Sequence, residues 1–200
     1  MLELLETLYQ YFAANQFELW GTLFGIACVY LNTQNNIWGW PAGIVSVSIY
    51  LYVFWEARLY GDFLLQGVYV VLGFYGWYHW LYGGASVRVL PLSRLPRERA
   101  LPALLGGVLA TGALGAYFHF RTDNDFPFAD ATTTVFSLLA QWMLTQKQLE
   151  NWLLWIFVDA ICVVVYYQKA LYITTFLYAV FLVLAAMGYW EWKRRLEATA

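Results

Sequence analysis

Trp152-Leu-Leu-Trp-Ile-Phe-Val-Asp-Ala-Ile-Cys-Val-Val-Val-Tyr-Tyr-Gln168 is a long apolar run interrupted by one charge, Asp159. A membrane-spanning helix needs about 20 mostly apolar residues. The run therefore reads as a spanning helix with a carboxylate near its middle. Six more segments of this kind share the chain, at residues 17–33, 37–55, 62–82, 101–120, 127–145 and 171–190. Seven such segments use up most of the 200 residues, so no soluble domain of useful size remains. The fold class expected is an all-α polytopic membrane protein with seven transmembrane helices in one domain.

Composition points the same way. Hydrophobic residues make up 62% of the chain and charged residues 12%, against about 25% charged in a soluble domain. The mean hydropathy is +0.53. A net charge of −2 gives no basic footprint for a nucleic acid. Cys28 and Cys162 lie in apolar runs without metal-ligand spacing, so they read as packing residues. No nucleophile elbow, zinc-protease motif or phosphate loop is present. Catalytic residues, metal and cofactor are accordingly not expected. The first 16 residues lack a basic start and read as a short amphipathic helix on the membrane surface or on the bundle.

Orientation follows from the basic residues. With seven spans, the odd-numbered connections and the C-terminus share one side. That side holds eight of the 11 Lys and Arg residues, among them Arg94, Lys147 and Arg194; the other side holds Arg58, Arg121 and Lys169. The positive-inside rule puts the N-terminus outside and the C-terminus in the cytoplasm. Trp77 and Trp80, and likewise Tyr189, Trp190 and Trp192, read as interfacial anchors.

The chain also repeats itself weakly. Phe24, Tyr30 and Thr33-Gln34 match Phe136, Trp142 and Thr145-Gln146 at an offset of 112. Leu59-Tyr60, Gly76 and Trp80 match Leu171-Tyr172, Gly188 and Trp192 at the same offset. Between these blocks, Asn36 and Trp40 match Asn151 and Trp155 at 115, as if three residues were gained and later given back. The expected organisation is a first three-helix repeat over 17–82, a linker helix over 101–120 and a second repeat over 127–192. The linker restores orientation, so the two repeats run parallel. Parallel repeats of this kind build transporters with a site at the repeat interface.

Asp159 costs at least about 2.5–3.5 kcal/mol at the centre of a spanning helix, so it needs a reason. Asn151, Trp155 and Asp159 are spaced i, i+4, i+8 and share a face of the sixth helix. An amide, an indole and a carboxylate stacked in this way suit a flat aromatic cation. The competing reading is a packing carboxylate, hydrogen-bonded to a Ser, Thr or Tyr of a neighbouring helix. Gln66 and Gln141, inside the third and fifth spans, either bridge helices or touch a ligand. Pro41 and Gly43 either loosen the second helix or mark its first turn. Asp62 and Asp130 read as helix-end caps; His79 and His119 read as interfacial.

The stretches Asn36-Ile-Trp-Gly-Trp-Pro-Ala-Gly-Ile44, Leu59-Tyr-Gly-Asp-Phe-Leu-Leu-Gln66, Phe74-Tyr-Gly-Trp-Tyr-His-Trp80, Asp130-Ala-Thr-Thr-Thr134 and Glu150-Asn-Trp-Leu-Leu-Trp-Ile-Phe-Val-Asp159 resemble those of the PnuC-type nicotinamide riboside transporters. The likeness covers roughly residues 20 to 192. It implies a 3+1+3 bundle distantly similar to SWEET-type sugar transporters, in the bacterial inner membrane, assembled as a homotrimer in contact with lipid. It implies uptake of a small vitamin-type substrate, nicotinamide riboside, by facilitated diffusion through alternating access. The pyridinium of that substrate agrees with the indole and carboxylate face. Carried onto this chain, the lining residues are Asn36, Trp40, Gln66, Tyr69, Gln141, Asn151, Trp155 and Asp159. The family includes thiamine and riboflavin carriers, so thiamine, also a cation, is the alternative substrate. A membrane enzyme or an assembly subunit is the alternative of another class.

Overall fold

The structure, a computed structural model, describes residues 16–56, 58, 60–84, 89–123 and 125–199. Within them lie seven helices: α1 Gln16–Thr33, α2 Gly39–Glu56, α3 Tyr60–Tyr82, α4 Arg97–Arg121, α5 Pro127–Thr145, α6 Asn151–Gln168 and α7 Tyr172–Thr199. Each has at least 18 residues, and 18 residues rise about 27 Å. By length and composition alone, α4, α6 and residues Thr174–Ala198 of α7 can cross a membrane. The amphipathic helix expected at the N-terminus lies, but for Gln16, outside the described residues.

Most helix limits agree with the apolar runs to within a few residues. Two helices overrun them with polar turns. α4 starts at Arg97 because Pro96 cannot extend the helix backward, while its carbonyl accepts the Arg99 and Ala100 N–H groups. α7 continues past residue 190 on pairs one turn apart, with Glu191 accepting from Arg194 at 2.6 Å and from Arg195 at 2.8 Å. Pro41 falls in the first turn of an unbroken α2, where a missing N–H costs little. Asp130 is not a cap: Phe126 holds that position and makes no side-chain cap hydrogen bond. Asp130 lies in the first turn of α5, where the helix dipole favours a carboxylate.

Six helices close into a ring in the order α1, α2, α3, α5, α6, α7 and back to α1. Among the described residues, α4 stands outside and packs on α5 alone. Its contact is made at glycines: a Cβ on Gly107 would meet the Phe136 ring at 3.1 Å, and one on Gly115 would run into Phe128. The outer face of α4 shows Leu101, Leu105, Leu109 and Phe120 to its surroundings. α1, α3, α5 and α7 all end where α2 and α6 begin. The two three-helix units are therefore parallel, and α4 is the connector that makes them so.

The units repeat at an offset of 112 throughout, which corrects the three-residue slip expected between them. Trp40 is matched by Trp152, whose rings meet Trp80 and Trp192 edge-on, both at 5.4 Å, with interplanar angles of 86° and 89°. Both rings lie on a glycine of the next helix, Gly76 and Gly188. Thr33 and Thr145 each donate back to the carbonyl three residues earlier, at 2.7 and 2.6 Å. The turn residues that follow, Asn35 and Lys147, both adopt positive φ, at 53° and 50°. Arg58 and Ala170 do the same at the other end, at 58° and 56°. In this register Trp155 corresponds to Gly43, Asp159 to Val47, Asn151 to Gly39 and Asn36 to Gln148.

A Cβ on Gly188 would stand 2.6 Å from the Trp152 ring, and one on Gly76 would overlap Trp40. Gly76→Ala and Gly188→Ala are each expected to cost about 1–3 kcal/mol by overpacking. Both should lower the melting temperature in detergent to a similar extent. Gly112→Ala, with nothing within 4 Å of the added methyl group, should not lower it.

Candidate functional site

The ring is closed at one end by aromatic packing. Trp40, Trp80, Trp152 and Trp192 are each 2% exposed or less and form one cluster with Leu144, Leu149 and Ala185. Trp80 and Trp192 are therefore core residues, in place of the interfacial anchors expected. Trp190, which stays exposed, fits the anchor role. The cluster holds the two repeats to each other by exchange. Trp80 Nε1–H donates to Leu144 O at 3.0 Å, and Trp192 Nε1–H donates to Asn32 O at 3.0 Å. Asn32 and Leu144 are partners at the 112 offset. Each indole thus reaches across the pseudo-twofold axis and ties the end of α3 or α7 to the end of α5 or α1. The Trp80 and Trp192 rings lie 6.0 Å apart across that axis. Trp40 Nε1 and Trp152 Nε1 are sealed from solvent and have no acceptor among the described residues.

The predicted site residues fall at several depths below this end. Asn36 is in the turn before α2, where its Oδ1 accepts from Trp38 N at 3.0 Å. Trp40 belongs to the tryptophan cluster, and Trp155 packs against the same cluster. Asn151, at 0% exposure, opens α6 with Nδ2 donating to Gln148 O at 2.6 Å. Trp155 and Gln141 lie one helical turn in, about 6 Å from the helix ends. Asp159 on α6 lies about 12 Å in, level with Ser137 on α5. Tyr69 of α3 donates to Ser137 Oγ at 2.7 Å, bridging α3 to α5. Gln66 sits deeper still on α3. Tyr69, Ser137 with Gln141, and Trp155 with Asp159 thus occupy three consecutive helices of the ring. Asn36 and Asn151 stand apart from them and shape the two turns.

Asp159 is 4% exposed, and Cys162 and Tyr178 lie within its electrostatic reach. No cation pairs with it among the described residues, and no hydroxyl is hydrogen-bonded to it there. Gln66 and Gln141 are half-buried, and neither amide has a side-chain partner among the described residues. An ionisable or amide group inside a span is costly when unpaired, so these three groups stand out among the polar residues of the ring.

Two cavities lie near the tryptophan end. One of about 580 Å³ runs along α7, past Val183, Met187 and Trp190 to Gln34. The other, of about 470 Å³, is bordered by the first turn, Trp80 and Lys147. Of the eight predicted residues, Asn36 borders the second cavity. Lys147 counts toward orientation in the sequence and not toward the site, because one lysine in a short polar turn carries no binding pattern. It is 3% exposed, with Nζ 4.4 Å from the centre of the Trp80 ring. It lies outside the spans, and burial pushes its ammonium down to about 8.

A parallel-repeat ring of six helices, with a seventh outside and unpaired polar groups at mid-depth, defines the transporter class of membrane protein. Residues 15–194 match the model of the nicotinamide mononucleotide transporter family, and the chain belongs to that family. Among its relatives is the nicotinamide riboside transporter PnuC of Escherichia coli, 27% identical over 88% of this chain and 84% of that one. The riboflavin/roseoflavin transporter RibM of Streptomyces davaonensis is 24% identical over 89% of this chain and 84% of the relative. The fold is that of the crystal structure of the vitamin B3 transporter PnuC. The TM-score is 0.76, with 23% identity, over 100% of this chain and 89% of the other.

Replacing Trp80 or Trp192 by Phe removes one crossed hydrogen bond and keeps most of the ring packing. Each change is expected to cost about 0.5–1.5 kcal/mol, the net worth of a hydrogen bond. The rings face each other, so the double mutant should depart from additivity. Thermal melts of the two single mutants and the double mutant in one detergent check both points.

Proposed function

We propose that this protein carries nicotinamide riboside across the inner membrane of a bacterium by facilitated diffusion. Family membership and the named relatives support the substrate class. The observation that carries the reading to this chain is Asp159: a carboxylate buried at mid-depth without a counter-ion among the described residues, one turn from an indole. A flat pyridinium supplies the missing positive charge, and Trp155 offers it a face. Gln141, Gln66 and Tyr69 then hydrogen-bond the carboxamide and ribose. Trp40, Asn36 and Asn151 complete the path at the tryptophan end.

The tryptophan end faces the cytoplasm in this reading, with the N-terminus outside and the C-terminus inside, as the excess of Lys and Arg there favours. Alternating access then requires that end to part along the pseudo-twofold axis. The two indole N–H groups without acceptors, on Trp40 and Trp152, lower the cost of parting, because water satisfies them once the end opens. The exposed apolar face of α4 contacts lipid and neighbouring copies in a homotrimer. The chain acts as a carrier with no enzymatic step, and the substrate leaves as it entered.

Reconstitution tests the reading. Proteoliposomes should show counterflow of labelled nicotinamide riboside that unlabelled riboside suppresses more strongly than thiamine or riboflavin does. Asp159→Asn should reduce counterflow at least tenfold with normal protein levels, a loss of about 1.4 kcal/mol or more. Stronger suppression by thiamine would reassign the substrate. Undiminished counterflow in Asp159→Asn would remove the carboxylate from the mechanism.

A further inference from the structure

The turn from α1 to α2 and the turn from α5 to α6 are structural copies, yet they are partnered differently. In the second turn the segment 89–95 lies across the backbone. Ser93 N–H donates to Lys147 O at 3.0 Å, and Leu149 N–H donates to Ser93 O at 2.9 Å. Leu95 N–H adds a bond to Glu150 Oε2 at 2.6 Å. The counterparts of that carbonyl and that amide in the first turn are Asn35 O and Ile37 N–H. Neither has a partner among the described residues. Both residues border the cavity of about 470 Å³ instead, together with Gln34, Asn36 and Trp80.

Lys147 enters the same cavity from the second turn. Its Nζ rests over the Trp80 ring, and no carboxylate lies within ion-pair distance of it among the described residues. A buried cation without a counter-ion is costly, and an indole face recovers only part of the lost hydration. The donors around it point to what is missing. Gln34 Nε2 uses one hydrogen on Thr33 Oγ1 and keeps another. Asn36 is held through its Oδ1, which leaves its Nδ2 free to donate. Asn35 Oδ1 is buried without a donor among the described residues. An ammonium, a backbone N–H and two amide N–H groups, set beside the backbone and side-chain oxygens of Asn35, together fit an oxyanion that can donate a hydrogen bond of its own.

We propose that this cavity binds a phosphate group, as inorganic phosphate or a phosphate monoester, on the Lys147 ammonium and the Ile37 N–H, with the Gln34 and Asn36 amides completing the shell. The volume lies within the range of small-molecule sites and admits a phosphorylated sugar. The phosphate takes the place in the first turn that Ser93 holds in the second. A lipid headgroup offers the same chemistry. The site depends neither on the riboside nor on the orientation in the membrane. It lies about 12 Å along α6 from Asp159, so a bound anion is not a substitute for transported substrate.

The test is calorimetric titration of the purified protein in phosphatidylcholine nanodiscs with inorganic phosphate, ribose 5-phosphate and ribose. Saturable binding of the two phosphates and none of ribose is expected. Lys147→Gln should weaken phosphate binding at least tenfold while melting no lower than the parent, and Lys147→Arg should retain it. Gln34→Ala, which leaves the lysine in place, should weaken it several-fold. Phosphate binding that is suppressed in phosphatidylglycerol nanodiscs identifies a lipid headgroup as the occupant. Equal binding in both lipids identifies the soluble ester, and either result supports the site. Unchanged phosphate affinity in Lys147→Gln overturns the proposal. So does the absence of saturable phosphate binding by the folded parent, even where nicotinamide riboside counterflow is intact.

Discussion

Two indole N–H groups, each donated across the pseudo-twofold axis to a carbonyl of the other repeat, hold this molecule in register. The acceptors Asn32 O and Leu144 O also receive the turn amides of Asn35 and Lys147, at 2.9 and 3.0 Å. One carbonyl thus fixes both a turn and a seam between repeats. The turn residues sit at positive φ without being glycine, a conformation that persists only where the surroundings enforce it. Gly76 and Gly188 are part of the same device, because only a hydrogen in place of Cβ lets the Trp40 and Trp152 rings lie against α3 and α7. The depth of every other polar group in the ring is measured from this closed end.

The frame is symmetric and its contents are not. At equivalent positions one repeat has Asp159 and the other Val47, one has Trp155 and the other Gly43. One turn is strapped by Ser93 and the other opens on a cavity. A symmetric scaffold gives two halves that can rock about one axis. In the proposed reading, the asymmetric lining takes a ligand with a charged aromatic end and a polar sugar end. The separation is economical, because packing between repeats is carried by tryptophans that need not touch the ligand.

Much of the fold is legible in the chain itself. Apolar runs of span length set seven helices, and short polar breaks set their ends. The overruns of α4 and α7 escape such a reading because ion pairs and a proline set them where hydropathy falls away. The register of the repeat misleads at one point. Asn36-x-x-x-Trp40 and Asn151-x-x-x-Trp155 look alike as strings, but their backbones are not equivalent. Asn36 lies in a turn and Asn151 starts a helix. Trp80 and Trp192 read as interfacial because tryptophans near span ends usually are. The signal against that reading is the glycine four residues before each of them, which opens one face of the helix to a ring. The burial of Asp159 is legible because a lone carboxylate in an apolar run has no other explanation. That of Lys147 is not, because it comes from the Trp80 ring and from a distant segment laid over its turn.

The proposed transport of a cation by this protein rests on a charge interaction at mid-depth, and the native protein can report on it without mutation. Nicotinamide riboside carries a planar pyridinium, whereas its dihydro form has nearly the same size and hydrogen-bonding groups with no charge. Equilibrium binding of the two to the purified protein at one ionic strength isolates that charge. The oxidised, cationic form should bind at least tenfold more tightly, about 1.4 kcal/mol. Equal affinities, or tighter binding of the uncharged form, would contradict the role of Asp159 as the countercharge.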